Sequence, residues 1–435
     1  MTERKISGLT ATNIVIANMI GTGVFVSLGF QVISIHSGFA IMALWIIGGL
    51  LSLCGALCYS ELAVALPRLG GEYNFLSRIY HPALGFMAGW ISVIIGFPAP
   101  IAISAMAFGN YFQGIVPSAS PLILSLLLVW GVTIILLVGI LTGERFQNIS
   151  TILKIGLIIF LIGAGVFFQQ KQPFQFAPQS NELATMLSGP FSVSLVFVMY
   201  SYSGWNGASY LTAEVRNPER NVPWALFIGT IVVMILYVLL NWVFLISAPA
   251  AEIVGKPIVA LVSGQHIFGQ MGGALVSGLI GFGLIANVSA MSWIGSRVTK
   301  SMADDFSRLA FFGRVNQRGT PYIAMILQAV VVTGFILTNS FEAVLVYTQF
   351  ALLLSSFLAV LGLIVLRFSQ PNLPRPYRVW GYPVTPLIFL VVTLCMMLYA
   401  VQQKTTASLL GLLTALAGLG IYFLVRPAQG SLSAR

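Results

Sequence analysis

The residues best placed to do chemistry are not acids, bases or nucleophiles. They are small and polar groups set inside apolar runs. The first set lies in Asn13-Ile14-Val15-Ile16-Ala17-Asn18-Met19-Ile20-Gly21-Thr22-Gly23-Val24-Phe25. Two glycines around Thr22 weaken helix propagation, and they let a ligand approach the backbone closely. A helix restarting after Gly23 would aim unbonded N–H groups at the gap, which suits an anion such as a carboxylate. Close helix packing through small residues is the alternative for the same spacing. The second set is Val198-Met199-Tyr200-Ser201-Tyr202-Ser203-Gly204-Trp205-Asn206-Gly207, again small and polar residues interrupting an apolar stretch. Non-helical backbone at membrane depth is tolerated where it is buried in protein or lines a cavity. Paired interruptions in corresponding places of two halves are the mark of a transporter built from inverted repeats.

A third feature is Lys154, inside the apolar run that begins at Ile149. It lies about five residues from one end, so it either snorkels to the interface or faces the protein interior. In the interior it would donate to carbonyls of the interrupted helix and of span 8, and there it would either stand where a bound cation would otherwise be needed or exchange protons. Asn287 and Ser289 sit within reach of the same depth, or else bond to their own helix. Tyr347 and Gln349 are possible side-pocket groups. Glu61, Arg68, Glu72, Arg78, Glu214, Arg216, Glu219 and Arg220 are expected to form an inner gate network or a solvated loop face. The sequence holds no His-Glu-x-x-His, Walker, dinucleotide or paired-cysteine motif. Its three histidines are dispersed. An enzyme, a metal centre and a bound cofactor are therefore not expected.

These groups need elements of one kind to hold them. The chain has 435 residues, 58% hydrophobic and 7% charged. A soluble surface needs roughly 25–35% charge, so a soluble enzyme, a disordered chain and a nucleic-acid binder are excluded. A span needs about 20 apolar residues. Twelve are expected, near 10–35, 39–66, 83–113, 121–141, 149–169, 189–213, 222–247, 269–300, 320–338, 342–367, 383–401 and 405–425. The gaps between them are too short for a soluble domain. Interruptions in spans 1 and 6 pair 10–169 with 189–367 as two five-helix repeats and leave 383–425 as two added helices. Pro98 and Pro100 are expected to bend the third span.

Basic residues orient the chain. With both termini inside, the inner face collects Arg4, Lys5, Arg68, Arg78, Arg145, Arg216, Arg220, Arg297, Lys300, Arg308, Arg314, Arg318, Arg367, Arg375, Arg378, Arg426 and Arg435. The outer face receives only Lys171, Lys256 and Lys404. A multi-pass protein of the cell's inner (plasma) membrane with cytoplasmic termini is the expectation. The short polar start, residues 1–9, precedes an apolar run too long and glycine-rich for a simple cleavable signal.

Several of these strings together resemble the amino acid–polyamine–organocation superfamily, and most closely bacterial relatives of the L-type amino acid transporters. The resemblance covers nearly all of the chain. It is carried by Ile20-Gly21-Thr22-Gly23-Val24-Phe25, by Tyr59-Ser60-Glu61-Leu62 with Pro67-Arg68-Leu69-Gly70-Gly71-Glu72-Tyr73, and by Lys154. It is carried most strongly by Tyr202-Ser203-Gly204-Trp205-Asn206 followed by 214–223. It implies an all-α fold of twelve helices with a five-plus-five inverted repeat. It implies a neutral L-amino acid held by amides of Thr22, Gly23 and Val24 and by carbonyls near Met19 and at Tyr200, Ser201 and Ser203. Tyr200 falls at an aromatic outer gate, where the family more often has phenylalanine followed by alanine. Asn206 falls near the substrate, and Lys154 at the place of a sodium site in sodium-independent members. Sodium-independent exchange follows, with proton symport or another amine or organic ion as alternatives. The loop 112–121 has no cysteine, so no disulfide-linked heavy subunit is expected.

Overall fold

In the computed structural model of the chain the described residues are 6–68, 70–138, 144–168, 172, 174–338 and 340–425, with the backbone alone for 144–148. Of the charges used for orientation, Arg4, Lys5, Lys171, Arg426 and Arg435 lie outside the described residues, as does the side chain of Arg145.

Among the described residues the chain is helical, with one isolated bridge between Ile6 and Val215. The helices are α1 (Gly8–Met19), α2 (Gly23–Gln31), α3 (Gly38–Ala65), α4 (Glu72–Ile79), α5 (Pro82–Ile91), α6 (Pro98–Gln113), α7 (Pro121–Val138), α8 (Glu144–Phe167) and α9 (Glu182–Met186). They continue as α10 (Gly189–Tyr202), α11 (Pro218–Ser247), α12 (Ala250–Ile253), α13 (Val259–Asp305), α14 (Tyr322–Leu337), α15 (Phe341–Ser369), α16 (Val384–Gln403) and α17 (Thr405–Val425). Ten stretches among the described residues are long and apolar enough to cross a membrane. The protein is an all-α, multi-pass membrane protein. The most apolar window is 72% buried in α1–α2 and in α5–α6 but only 28% in α7 and α17, so the first two lie inside the bundle and the last two against lipid.

Local sequence sets the interruptions. Ser7 caps α1 by accepting from the Thr10 amide at 3.1 Å. Helical geometry is lost at Ile20 (ψ 80°) and resumes at Gly23. Ser188 caps α10, which ends at Tyr202 because Ser203 is extended (ψ 141°) and Gly204 has φ 103°. A 3-10 turn, Gly207–Glu214, follows. The sixth span, expected over 189–213, is therefore a 14-residue α-helix and a separate turn. The ninth, expected over 320–338, has 16 residues. The gap expected at 248–268 holds α12 and the start of α13, which kinks at Gly269 (φ 77°). Polar Gln265 and His266 hide that helical start from an apolar count.

Residues 67–80, read as turn-rich, contain α4, with Glu72 in its first turn and Arg78 in its last, the order that suits a helix dipole. The proline bend is a π-turn over Ser92–Gly96, closed by the Phe97 amide on the Ser92 carbonyl at 3.0 Å. The extra residue absorbs the bond that Pro98 cannot donate.

Candidate functional site

At the first interruption the Met19 and Ile20 carbonyls have distant partners. The Met19 carbonyl accepts from the Gly21 amide (2.8 Å) and from the Tyr237 hydroxyl (2.6 Å). The Ile20 carbonyl accepts from Lys154 Nζ at 2.8 Å. Lys154 is buried and does not snorkel. Its ammonium replaces the helical bond that Ile20 loses. Thr22 Oγ1 shares a hydrogen with Ser104 Oγ (2.6 Å), and Asn287 Nδ2 donates to that same Ser104 oxygen (2.8 Å). Ser104 thus ties α6 to the interruption and to α13. The amides at the start of α2 have no earlier helical carbonyl to use, and the helix dipole there favours an anion.

The second interruption packs against the first. A Cβ on Gly23 would lie 2.5 Å from Ser201 Cα, and one on Gly204 would lie 2.8 Å from the Asn18 backbone. Close approach of backbones is therefore one use of Gly23, as small-residue packing predicts. Gly21 differs: its nearest foreign atom would be Asn287 Nδ2 at 3.8 Å, so its space is open. Ser203 Oγ bonds to the Met199 carbonyl (3.3 Å) and to Gln349 Oε1 (3.2 Å). Ser201 Oγ bonds to the Phe197 carbonyl (3.0 Å) and to Ser27 Oγ (2.8 Å).

A cavity of about 1950 Å³ runs from these interruptions to the face bearing Arg68, Arg78, Glu214, Arg297, Asp304 and Asp305. Its wall brings together Met19, Gly21, Thr22, Gly23, Tyr200, Ser201, Ser203, Trp205, Asn206, Asn287 and Ser289. Gln349 lines it too, and five expected residues do not: Ile20, Val24, Tyr202, Lys154 and Tyr347, whose hydroxyl instead bonds to Thr414 Oγ1 at 2.8 Å. Tyr202 turns to α3, where its hydroxyl donates to the Trp45 carbonyl at 2.9 Å. Lys154 instead borders a small void with Gly21 and Asn287. Trp205 meets Tyr59 edge-on at 4.8 Å and is largely packed. The Met19 carbonyl already holds two donors, so an ammonium there would have to displace one.

The opposite end is shut. Phe30 stacks between Phe197 (5.5 Å) and Phe341 (5.7 Å), and the Gly29 carbonyl accepts from the Gly255 amide at 2.8 Å. At the open rim the Tyr73 hydroxyl donates to Asp305 Oδ2 at 2.8 Å. Burial and that carboxylate hold the Tyr73 phenol above its usual range.

The charges expected at an inner gate or a solvated loop face include two buried carboxylates, Glu61 and Glu72. Glu61 accepts from Arg367 Nε (2.9 Å), Arg367 Nη2 (2.6 Å) and the Val379 amide (2.7 Å), with Arg375 Nε at 3.6 Å. Its partners come from α15 and the segment after it, not from 68–80 or 214–223. Glu72 is buried and bonded to Tyr59, Asn206 and Tyr210, so it is a wall residue of the cavity and not part of a loop face. Ser104, Ser27 and Tyr237 also hold the interruptions, and no motif marks them in the sequence. The one local signal for Ser104 and Ser27 was a lone hydroxyl inside an apolar run.

The pattern of the family described as amino acid permease matches residues 6–421. The large neutral amino acids transporter small subunit 2 of Mus musculus is 26% identical over 432 residues, covering 97% of this chain and 81% of that one. The b(0,+)-type amino acid transporter 1 of Homo sapiens is 27% identical over 433 residues, covering 97% and 88%. The Asc-type amino acid transporter 1 of Mus musculus is 26% identical over 434 residues, covering 97% and 81%.

Proposed function

The chain belongs to the amino acid permease family, and from that premise we propose that it is a secondary transporter of neutral L-amino acids working by sodium-independent exchange. The observation that carries this reading is the pair of abutting helix interruptions on one cavity wall, with Lys154 Nζ on the Ile20 carbonyl. The substrate carboxylate is assigned to the amides of Thr22, Gly23 and Val24, and its ammonium to carbonyls among 199–203. Tyr200 is its aromatic wall on the closed side, and Asn287 and Ser289 flank it from α13. Lys154 supplies the fixed positive charge that a sodium ion would otherwise bring, which makes the ion unnecessary. Residues 10–169 and 189–367 are read as the two inverted repeats, with 383–425 added.

The face rich in Arg is assigned to the cytoplasm, with both termini inside, in the cell's inner membrane. The cavity then opens inward. The side-chain preference rests on the groups assigned to the amino acid itself, residues 19–24, 199–203, Asn287 and Ser289, none of which is a carboxylate; Glu72 on the same cavity is held by Asn206, Tyr59 and Tyr210. A charged side chain would be costly there without a partner. Alanine, serine, threonine and valine fit, and one chain should work without a second subunit.

The test is radiolabelled uptake into proteoliposomes holding the purified chain alone. Uptake is expected to persist when choline replaces sodium and to speed up with internal substrate. A strict sodium requirement would overturn the reading. Drive by a proton gradient without exchange would replace it with proton symport. Competition by the twenty amino acids tests the preference, and strongest competition by arginine, lysine or glutamate would refute it.

A further inference from the structure

Glu72 is the buried carboxylate on the cavity wall; Glu214, Asp304 and Asp305 on that wall are more exposed. Its Oε1 accepts from Tyr59 (2.8 Å) and from Asn206 Nδ2 (2.9 Å), and its Oε2 from the Tyr210 hydroxyl. All three donors are neutral. No Lys or Arg nitrogen among the described residues lies within 4.0 Å of it, although Arg68 and Arg78 line the same cavity. A carboxylate offers about four acceptor positions. Three are filled, and the free one is on Oε2. Glu72 also opens α4, whose dipole offers about half a positive charge. The remaining negative charge is held in a buried place without a counter-ion, where a cation gains most.

We propose that Glu72, with Tyr210 and Asn206, forms a second binding site for a primary ammonium group, on the charged-face side of the helix interruptions. Its occupant is the ammonium of a substrate moving between the upper site and the opening, so the proposal rests on the transporter reading. Ser203, Asn206 and Glu72 line one cavity and Asn206 bonds directly to Glu72, so an ammonium leaving the 199–203 carbonyls has Glu72 within the same space. The site recognises no carboxylate: its other groups are a phenol already donating to Glu72 and an amide already turned to it. An amine without a carboxylate should therefore bind here and not above.

Equilibrium dialysis of radiolabelled propylammonium against the purified full chain tests this. Saturable binding is expected, displaced by alanine but not by propionate or propanol. Glu72→Gln should weaken it about tenfold or more, while Glu72→Asp, which keeps the charge, should retain most of it. Thermal melting shows whether each variant is folded, and if the Gln variant is not, saturable binding to the wild type, displaced by alanine but not by propionate, is the deciding result. Absence of saturable binding to the wild type, or equal binding by the Gln variant, overturns the proposal. Amino acid uptake by the same preparation is scored separately, so failure of the transporter reading shows there and not in the dialysis.

Discussion

At the scale of residues, each group at the interruptions is held by a partner far away in sequence. Lys154 reaches Ile20, Ser104 reaches Thr22 and Asn287, and Tyr237 reaches Met19. Lys154→Ala would strand the buried Ile20 carbonyl, at about 1–3 kcal/mol. The expected result is at least a tenfold loss of exchange in proteoliposomes and a lower melting temperature. The two glycines should separate by mechanism. Gly23→Ala sets a methyl against Ser201 Cα, an overpacking worth about 1–3 kcal/mol that melting in detergent will register. Gly21→Ala has room, so it should melt like the wild type while substrate affinity falls. The glycines and Lys154 were legible in the sequence because each is an anomaly in its own run. Ser104 and Tyr237 were not, because their meaning lies in a contact across the fold. Glu72 reads in the sequence as either a gate charge or a solvated one, because its burial and its bonds come from Tyr59, Asn206 and Tyr210 on other elements.

At the scale of elements, apolar runs located the spans but not their ends. The run through 189–213 is continuous in composition, yet α10 stops at Tyr202 because Gly204 turns to φ 103°. A side chain at Gly204 is strained by that φ and by the Asn18 backbone, so Gly204→Ala should cost about 1–3 kcal/mol in thermal melting and lower transport more than Gly21→Ala. α13 shows the same limit. Gly269 (φ 77°) divides it into two helical pieces, the span expected over 269–300 begins at that break, and the second piece runs on to Asp305 because helix hydrogen bonds do not require apolar side chains. α4 was unreadable for a related reason: it has eight residues, too few for a periodic pattern to declare itself.

At the scale of the molecule, the two faces differ in how they are tied. One is shut by the Phe30 ring stack and by α2 against the 253–256 turn. The other is open, but its flank is pinned where Glu61 of α3 holds Arg367 of α15 and the Val379 amide. Glu61→Gln leaves Arg367 and Arg375 facing a neutral group at a largely buried point. A loss of about 3 kcal/mol is expected, read as a fall in melting temperature, and Arg367→Lys should recover only part of the wild-type value because it loses the two-pronged contact.

The length of α10 also bears on how the protein is made. Fourteen residues of helix reach about 21 Å, short of the roughly 30 Å of hydrocarbon. Such a segment has no stable place in lipid by itself. It must wait for α2 and α3, which are already synthesised, and for α15 and α16, which are not. Nascent chains cut after residue 217 should therefore hold this segment loosely, accessible to a water-soluble label at an added cysteine. Chains that include α16 should shield it. A ribosome-bound labelling series across those lengths would show assembly of the central wall to be one of the last events in biogenesis, although its first half is among the earliest parts translated.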